Sequence, residues 1–218
     1  MKNSMYPTTV IDNFFDYPDD VKKLANSLEY KKDPDGRWPG ERTKNLIEID
    51  PDFFNKSTNR LLSIFHYGQM LNWNASLHFQ KINSSYQEGW VHCDEALLTG
   101  IVYLNEKSNP NGGTTIYKPK NLSYNEKNRD KKHSFYKGLL SDEDGIKFRN
   151  EHNEQFNESI IVKNEYNRLI CFDGFLPHGA NDYTNINNEE RLTLVFFIHQ
   201  LYIDDAKYPL TRMNYVGN

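Results

Sequence analysis

The second half of the chain, from Trp73 onward, has the pattern of many short strands. The segments are rich in β-branched and aromatic residues, and turn-forming residues lie between most of them: 75–82, 86–92, 97–104, 114–117, 159–163, 167–173 and 191–199. Closely spaced strands of this kind are typical of antiparallel sandwiches and barrels. The pattern therefore predicts a mostly β fold with an antiparallel sandwich or barrel at its centre.

Helices are predicted before the strands. After a short strand near Val10, apolar residues recur at three-to-four spacing from Val21 to Leu28, which is the period of a helix with one buried face. A second helix is predicted over Pro51–His66. Its inward residues would be Phe54, Leu61, Leu62 and Phe65. Residues 31–45, rich in Pro, Gly and charge, indicate a loop.

Residues 118–157 interrupt the strand pattern with a polar stretch rich in Lys and Asn, and Asp142–Phe156 within it is predicted to be helical. A charged insertion of this length is most often a solvated excursion, although such segments also form lids. We expect the excursion. With 218 residues the chain suits one domain: 1–72 as helical support, 73–200 as the β core and 201–218 as a C-terminal extension.

Composition narrows the class of protein. The net charge of −4 gives no global field that would attract nucleic acid, and no apolar run approaches the roughly 20 residues that span a bilayer. The N-terminus has no secretory signal pattern, and Cys93 and Cys171 suit neither a disulfide framework nor a thiolate zinc site. We expect a cytoplasmic protein without membrane or nucleic-acid partners; nothing in the sequence indicates its oligomeric state.

The first chemical motif is His92-Cys93-Asp94, directly after the strand-like YQEGWV. Side chains at positions i and i+2 of an extended backbone point to the same side, so His92 and Asp94 can reach one ion. One imidazole and one carboxylate are two thirds of the facial triad that binds non-haem Fe(II). The motif alone is weak, because such pairs arise by chance. A similar triplet, His152-Asn153-Glu154, lies in a polar helix-like stretch and is expected at the surface.

Two further features lie downstream. His178 follows the apolar strand Leu169–Phe172 and a Gly-containing turn, so it could bring a third ligand from a neighbouring strand. Arg191 and Thr193 share one face of the apolar strand RLTLVFFI. A guanidinium beside a hydroxyl suits a bidentate carboxylate. Taken singly, His178 could be an inconsequential turn histidine, and Arg191 a water-exposed strand-edge arginine.

The remaining polar and aromatic candidates are given structural roles. Trp38, Trp73 and Trp90 could line a substrate mouth but are expected in core or rim packing. Arg42 and Lys44 could meet an anionic substrate but are expected to be solvated. Core or edge positions are expected for His66, His78 and His199, and a surface position for His133.

The ordered combination HCD, YLNEKSNPNGGTTIY, a later His and RLT, over roughly residues 74–200, resembles the Fe(II)/2-oxoglutarate-dependent dioxygenase superfamily, nearest to its prolyl 4-hydroxylase-like branch. The resemblance implies a double-stranded β-helix, the jelly roll also found in cupins. The N-terminal region also resembles an uncharacterised family of such proteins in bacteria and their viruses.

Residue by residue, the resemblance implies that His92, Asp94 and His178 bind Fe(II). It implies that Arg191 and Thr193 hold the distal carboxylate of 2-oxoglutarate, and that Tyr103 also bonds the co-substrate. The implied reaction uses O₂ to hydroxylate a peptidyl or small-molecule substrate, releases succinate and CO₂, and takes ascorbate as a candidate reductant.

Two alternatives remain open. The chain could be a catalytically inactive β-helix that only binds, although such a relic would be free to lose part of the triad or the Arg-x-Thr pair. It could also be a cupin-type metal enzyme that does not use 2-oxoglutarate, although those sites commonly carry an H-x-H arrangement, which this sequence lacks.

Overall fold

The structure is a computed structural model that describes residues 4–107, 109–121, 129–184, 189–203 and 210–211. The strands, in chain order, are β1 (Ser4–Met5), β2 (Thr9–Ile11), β3 (Lys31–Lys32), β4 (Glu41–Arg42), β5 (Leu71–Ile82), β6 (Leu98–Tyr103), β7 (Thr114–Pro119), β8 (Phe156–Val162), β9 (Leu169–Phe172), β10 (His178–Ala180), β11 (Arg191–Ile203) and β12 (Leu210–Thr211). The α-helices are α1 (Pro18–Ser27), α2 (Pro51–His66), α3 (Arg129–Tyr136) and α4 (Asp142–Asn153). Short 3₁₀ turns span Leu46–Glu48 and Ser84–Tyr86.

Two antiparallel sheets form the centre of the molecule. The major sheet has seven strands in the order β2-β9-β6-β11-β5-β4-β3, and the minor sheet has three in the order β10-β7-β8. β1 and β12 form a separate antiparallel pair. Strands that are distant in sequence are neighbours in both sheets, so the topology brings together residues from opposite ends of the chain.

The major sheet packs on both of its faces, because alternate residues of a strand point to opposite sides. One face packs against α1 and α2 in the larger apolar core, which includes Leu61 of α2 and Leu194 and Phe196 of β11. The other face meets the minor sheet in a smaller cluster: Tyr103, Ile116, Val162, Ile170 and Phe172. The face of the major sheet that is directed away from α1 and α2 therefore lines the space between the two sheets.

Several sequence predictions are confirmed. The second helix spans Pro51–His66 as expected, and Phe54, Leu61 and Leu62 are buried. The fold is mostly β, with antiparallel sheets and flanking helices. Within the described residues, none of the helices is long and apolar enough to cross a membrane.

The strand predicted over 86–92 is wrong. Gln87 has a positive φ of 60°, and the segment approaches β10 only through isolated hydrogen bonds. The Gly89 N–H donates to the Ala180 carbonyl, and His92 forms an isolated bridge with His178. Apolar and aromatic content indicated a strand here, but the left-handed residue prevents a continuous ladder.

The insertion is not a solvated excursion in its described part. α4 was predicted over Asp142–Phe156 and ends at Asn153, while Phe156 begins β8; α3 was not predicted at all. Arg149 and His152 of α4 are each only 2% exposed. The expected surface position of His152 is therefore wrong, because its Nε2 lies 2.7 Å from the Val91 carbonyl oxygen.

The proposed division at residues 72 and 200 stays a prediction. β5 begins at Leu71 and β11 continues to Ile203, so both proposed boundaries fall inside strands. Of the C-terminal extension, only 201–203 and the strand that pairs with β1 lie within the described residues. The loop predicted over 31–45 contains the two short strands β3 and β4 at the edge of the major sheet.

Candidate metal centre and its cavity

The structure brings His92, Asp94 and His178 together at one edge of the minor sheet. His92 and Asp94 lie in the irregular segment before β6, and His178 is the first residue of β10. The His92 N–H donates to the His178 carbonyl at 2.9 Å, and the His178 N–H donates back at 2.8 Å. The Asp94 N–H donates to the Gly174 carbonyl at 2.7 Å. These backbone bonds fix the three residues beside one another.

The side chains of the three residues converge. His92 Nε2 lies 3.5 Å from Asp94 Oδ1, and His178 Nε2 lies 3.3 Å from Asp94 Oδ2. All three candidate ligand atoms lie within 4.8 Å of one another. Ligands about 2.1 Å from one ion, at right angles, are about 3 Å apart. Within the described part of the chain, this is the one group of His, Cys, Asp and Glu residues with metal-binding spacing.

Hydrogen bonds at the far side of each imidazole orient the two rings. His92 Nδ1 lies 2.8 Å from the Trp90 carbonyl oxygen, and His178 Nδ1 lies 2.9 Å from the Leu176 carbonyl oxygen. A carbonyl only accepts, so these contacts assign the proton to Nδ1 in both rings. The Nε2 lone pairs then face Asp94, as metal ligation requires.

The surroundings of His92 and Asp94 favour a neutral imidazole and an ionised carboxylate. Burial and the neighbouring His178 lower the pKa of His92 from its usual value. Burial alone would raise the pKa of Asp94, but the facing His178 and His92 hold it well below the usual carboxyl range. The Thr99 hydroxyl also donates to Asp94 Oδ2 at 2.7 Å. A neutral imidazole and an ionised carboxylate are the forms that bind a cation.

A second group of residues lies between the sheets and consists of Arg191, Thr193 and Tyr103. We call this group the Arg191 slot. Thr193 and Tyr103 are cross-strand partners in β11 and β6, and both are fully buried. The Arg191 guanidinium is 5.3 Å from the centre of the Tyr103 ring, and its Nε donates to the Gly112 carbonyl at 3.2 Å. The Tyr103 hydroxyl donates to Thr114 Oγ1 at 2.8 Å. Arg191 is therefore not at an exposed strand edge.

One cavity of about 430 Å³ contains the triad and reaches Arg191. Its walls include the 37–42 segment, the triad segment, α3 and residues of the strands β5, β6, β7, β10 and β11. Val195 and Phe197 of β11 line it, as do Lys132, His133 and Tyr136 of α3. The insertion thus forms one wall of the site.

Several cavity residues were missed by reasoning from the sequence. Arg42 and Trp38 line the cavity, although solvated and packing roles were expected for them. Tyr183 also lines it, and its ring centre is 5.8 Å from the Arg191 guanidinium. Burial raises the pKa of Tyr183 to about 12. No sequence signal marked Tyr183, because its position depends on the polar loop after β10.

The remaining histidines and Lys44 have the following positions. His66 is buried, with Nε2 2.9 Å from the Tyr6 hydroxyl, and His78 Nδ1 lies 2.9 Å from the Thr43 carbonyl oxygen, as expected for core or edge positions. His199 contacts Ser76 at the cavity rim. Lys44 is exposed as expected, whereas His133 lies on a cavity wall.

The insertion is attached to the site through Arg149. Its Nη1 donates to the carbonyls of Tyr86 and Glu88 at 2.8 and 3.3 Å, and its Nε lies 3.2 Å from the Glu88 carboxylate. Asn153 adds two bonds, from its amide to the Gly89 carbonyl and from the Val91 N–H to its Oδ1, both 2.9 Å. α4 therefore supplies the backbone partners that segment 86–91 lacks from a sheet.

Replacing Arg149 with Met is expected to lower the free energy of unfolding by about 2–3 kcal/mol, since buried carbonyls lose their donor. Thermal denaturation should show a fall in Tm of about 5–10 °C. Arg60→Met is the matched control, because Arg60 forms an exposed pair with Asp16 and should change stability by less than about 1 kcal/mol. Equal small losses in both variants would contradict a structural role for Arg149.

Comparison with protein families gives a match over most of the chain. A model of the "Family of unknown function (DUF6445)" matches residues 1–198. Comparison with curated proteins gives no match.

Solved structures give three informative matches. HygX from Streptomyces hygroscopicus, with nickel, 2-oxoglutarate and hygromycin B bound, has a TM-score of 0.57 at 13% identity, covering 87% of this chain and 81% of that one. EvdO2 from Micromonospora carbonacea var. aurantiaca has a TM-score of 0.54 at 11% identity, covering 93% and 90%. A Trichoplax adhaerens prolyl hydroxylase, in complex with a hypoxia inducible factor peptide fragment, has a TM-score of 0.53 at 13% identity, covering 88% and 82%.

At these identities the similarity shows a shared fold. That fold is the double-stranded β-helix found in Fe(II)/2-oxoglutarate oxygenases, as the family resemblance implied.

Proposed function

This chain belongs to the DUF6445 family of unknown function, and we propose that it is an Fe(II)- and 2-oxoglutarate-dependent oxygenase that hydroxylates a C–H bond. One observation carries the proposal. A cluster of two imidazoles and one carboxylate shares a cavity with a buried arginine on the opposite sheet. Three protein ligands leave coordination positions open for a co-substrate and O₂.

The residues of the Arg191 slot fit 2-oxoglutarate. Among the described residues, Arg191 Nη2 and Thr193 Oγ1 are buried without a hydrogen-bond partner. Such atoms cost free energy unless something binds them, and a carboxylate accepts from both a guanidinium and a hydroxyl. We assign the distal carboxylate of 2-oxoglutarate to Arg191 and Thr193, with Tyr103 beside it.

The triad fits Fe(II) for similar reasons. A His₂-carboxylate set with both Nε2 lone pairs directed inward is the ligand type of non-haem Fe(II) oxygenases. HygX binds nickel and 2-oxoglutarate on the same fold, which supports this choice. We assign His92, Asp94 and His178 as the metal ligands.

Bound iron would supply the oxidative chemistry, in which O₂ oxidises substrate C–H to C–OH and 2-oxoglutarate to succinate and CO₂. The chain itself does the rest. Thr99 fixes the orientation of Asp94, and the carbonyls of Trp90 and Leu176 hold the two imidazole rings. α3 and the packed aromatic side chains exclude water from one side of the cavity.

The proposed substrate is a peptidyl group or a small molecule. The prolyl hydroxylase neighbour binds a peptide fragment and HygX binds hygromycin B, so the fold accepts both peptidyl and small-molecule ligands. No disulfide joins Cys93 and Cys171, one exposed and one buried, which supports a reducing compartment such as the cytoplasm.

The test is release of succinate in air after addition of Fe(II), ascorbate and 2-oxoglutarate. The wild type should form succinate, and Asp94→Ala should reduce its rate by at least about 100-fold, beyond the 10–100-fold typical of residues that only support metal ligands. The matched control is Glu95→Ala, because Glu95 is an exposed carboxylate on the same cavity wall.

Other results of this assay would favour a different function or a different metal ligand. Metal binding without any succinate would favour an inactive binding module. Substrate oxidation that does not depend on 2-oxoglutarate would favour a cupin-type metal enzyme. Undiminished succinate formation by Asp94→Ala would remove Asp94 from the metal site.

A further inference from the structure

Arg42 is a cation of the cavity that the proposed reaction does not use. It ends β4, opposite Gln80 of β5. Its guanidinium lies 4.4 Å from the centre of the Trp38 ring and 5.3 Å from the centre of the Phe197 ring. Aromatic faces on both sides hold a guanidinium in place while leaving its edge able to donate hydrogen bonds.

Arg42 has no direct contact with a carboxylate within the described part of the chain. Among the described residues it forms no ion pair; its Nη2 donates to Gln80 Oε1 at 3.3 Å, and its Nε is buried without a hydrogen-bond partner. The neighbouring Arg37, by contrast, pairs with the buried Asp33 at 2.8 Å. A partly buried cation without a direct anionic partner is costly, so this position favours a negatively charged ligand.

The surrounding wall adds donors and positive charge. Trp38 Nε1 is also buried without a partner within the described part of the chain. Lys132 of α3 lines the same cavity and adds a positive charge. Asp94 is the main carboxylate acting on Arg42, and a metal bound by the triad would occupy it. With Asp94 bound to a metal, this part of the cavity offers an incoming ligand positive charge and more hydrogen-bond donors than acceptors.

Arg42 and Arg191 have different contacts in the cavity. Arg42 lies on β4 beside Gln80 of β5, which in turn pairs with Thr193 of β11, and its guanidinium packs against the rings of Trp38 and Phe197. Arg191 instead contacts Tyr103 and Tyr183. Arg42 is therefore available for a second anion when the slot is filled.

We propose that Arg42 and Trp38 bind an anionic group of the substrate, a carboxylate or a phosphate, and so restrict this oxygenase to anionic substrates. The statement about substrates rests on the proposed function, but the anion site itself does not. Arg42 holds the group through its free Nε edge, Trp38 adds an indole N–H, and Lys132 contributes long-range attraction. The C–H bond to be oxidised lies on the part of the substrate that faces the triad.

The test is direct binding of two probe anions, inorganic phosphate and acetate, to protein loaded with Ni(II) and saturating 2-oxoglutarate. Tryptophan fluorescence reports binding, because Trp38 and Trp90 line the cavity, and chloride keeps the ionic strength constant. The wild type should bind at least one probe saturably, and the tighter probe identifies the group. Arg42→Gln should bind it at least about tenfold more weakly, the effect of losing a charged hydrogen bond.

Matched variants make the result specific. Arg60→Gln, which removes an exposed arginine paired with Asp16, should bind the probe like the wild type. Trp38→Phe, which keeps an aromatic ring but removes the N–H, should weaken binding several-fold and serves as the test if Arg42→Gln does not fold. The affinity for 2-oxoglutarate, measured in the same samples, should be unchanged in Arg42→Gln.

Three outcomes would overturn the inference: no saturable binding of either probe to the wild type, equal binding by wild type and Arg42→Gln, or a loss of 2-oxoglutarate affinity in Arg42→Gln. The last would assign Arg42 to the co-substrate instead. If the wild type binds neither Ni(II) nor 2-oxoglutarate, the proposed function fails, and the same titration of the metal-free protein still decides the anion site.

Discussion

Replacing His178 with Ala is expected to abolish metal binding, which would be the largest effect of any single change in this protein. His178 is one of the three proposed ligands, and its Nε2 lies 3.3 Å from Asp94 Oδ2. Removing it leaves two ligands, so the affinity for Fe(II) should fall by more than the roughly 10–100-fold lost with a supporting residue. Metal content after dialysis, measured by mass spectrometry, should drop from about one ion per chain to nearly none.

The control for this variant is His199→Gln. His199 lies on the same cavity wall and contacts Ser76, but it is not part of the triad. Its replacement should leave the metal content unchanged. If His178→Ala retained the metal of the wild type, His178 would not be a ligand, and the proposed oxygenase would lose its basis.

Replacing Arg191 with Gln is expected to weaken 2-oxoglutarate binding by about 100-fold or more, while metal binding persists. The guanidinium is buried, with 4% of its residue exposed, and would form a desolvated ion pair with the distal carboxylate. Removing one partner of such a pair costs about 3–5 kcal/mol, and 1.4 kcal/mol is a factor of ten in affinity. Anaerobic titration of the Fe(II) protein, followed by the charge-transfer absorption of the chelate, measures the Kd.

Two further variants serve as controls for Arg191→Gln. Arg191→Lys keeps the charge but loses the planar fork, so it should recover only part of the affinity. Arg42→Gln removes the other cavity arginine and should leave the 2-oxoglutarate Kd unchanged. An unaltered Kd in Arg191→Gln would assign the co-substrate carboxylate to another cation.

Local features made the β fold and the triad predictable. The helix at Pro51–His66 was found with its bounds, because its apolar period is a property of neighbouring residues. The triad followed from ordered motifs that a family resemblance connected. His92 and Asp94 lie outside a continuous strand, and their side chains converge because backbone bonds to His178 and Gly174 hold the segment in place.

Features that depend on distant contacts were not predictable. His152 and Arg149 have polar neighbours in sequence, which indicated a solvated helix. They are buried because the irregular segment 86–91 needs hydrogen-bond donors and acceptors that no sheet provides. Arg42 appeared solvated for the same reason: its aromatic partner Phe197 is 155 positions away in the chain.

The sequence by itself determined the strand and helix periods and the mostly β fold class, since these depend on residue type and short-range spacing. The candidate metal ligands came from ordered motifs through the family resemblance. Only the tertiary structure decided that the insertion covers the site, that Arg191 and Arg42 occupy one cavity, and which buried donors remain without partners. The physical reason is that burial and hydrogen-bond satisfaction are set by sheet pairing between segments far apart in the chain.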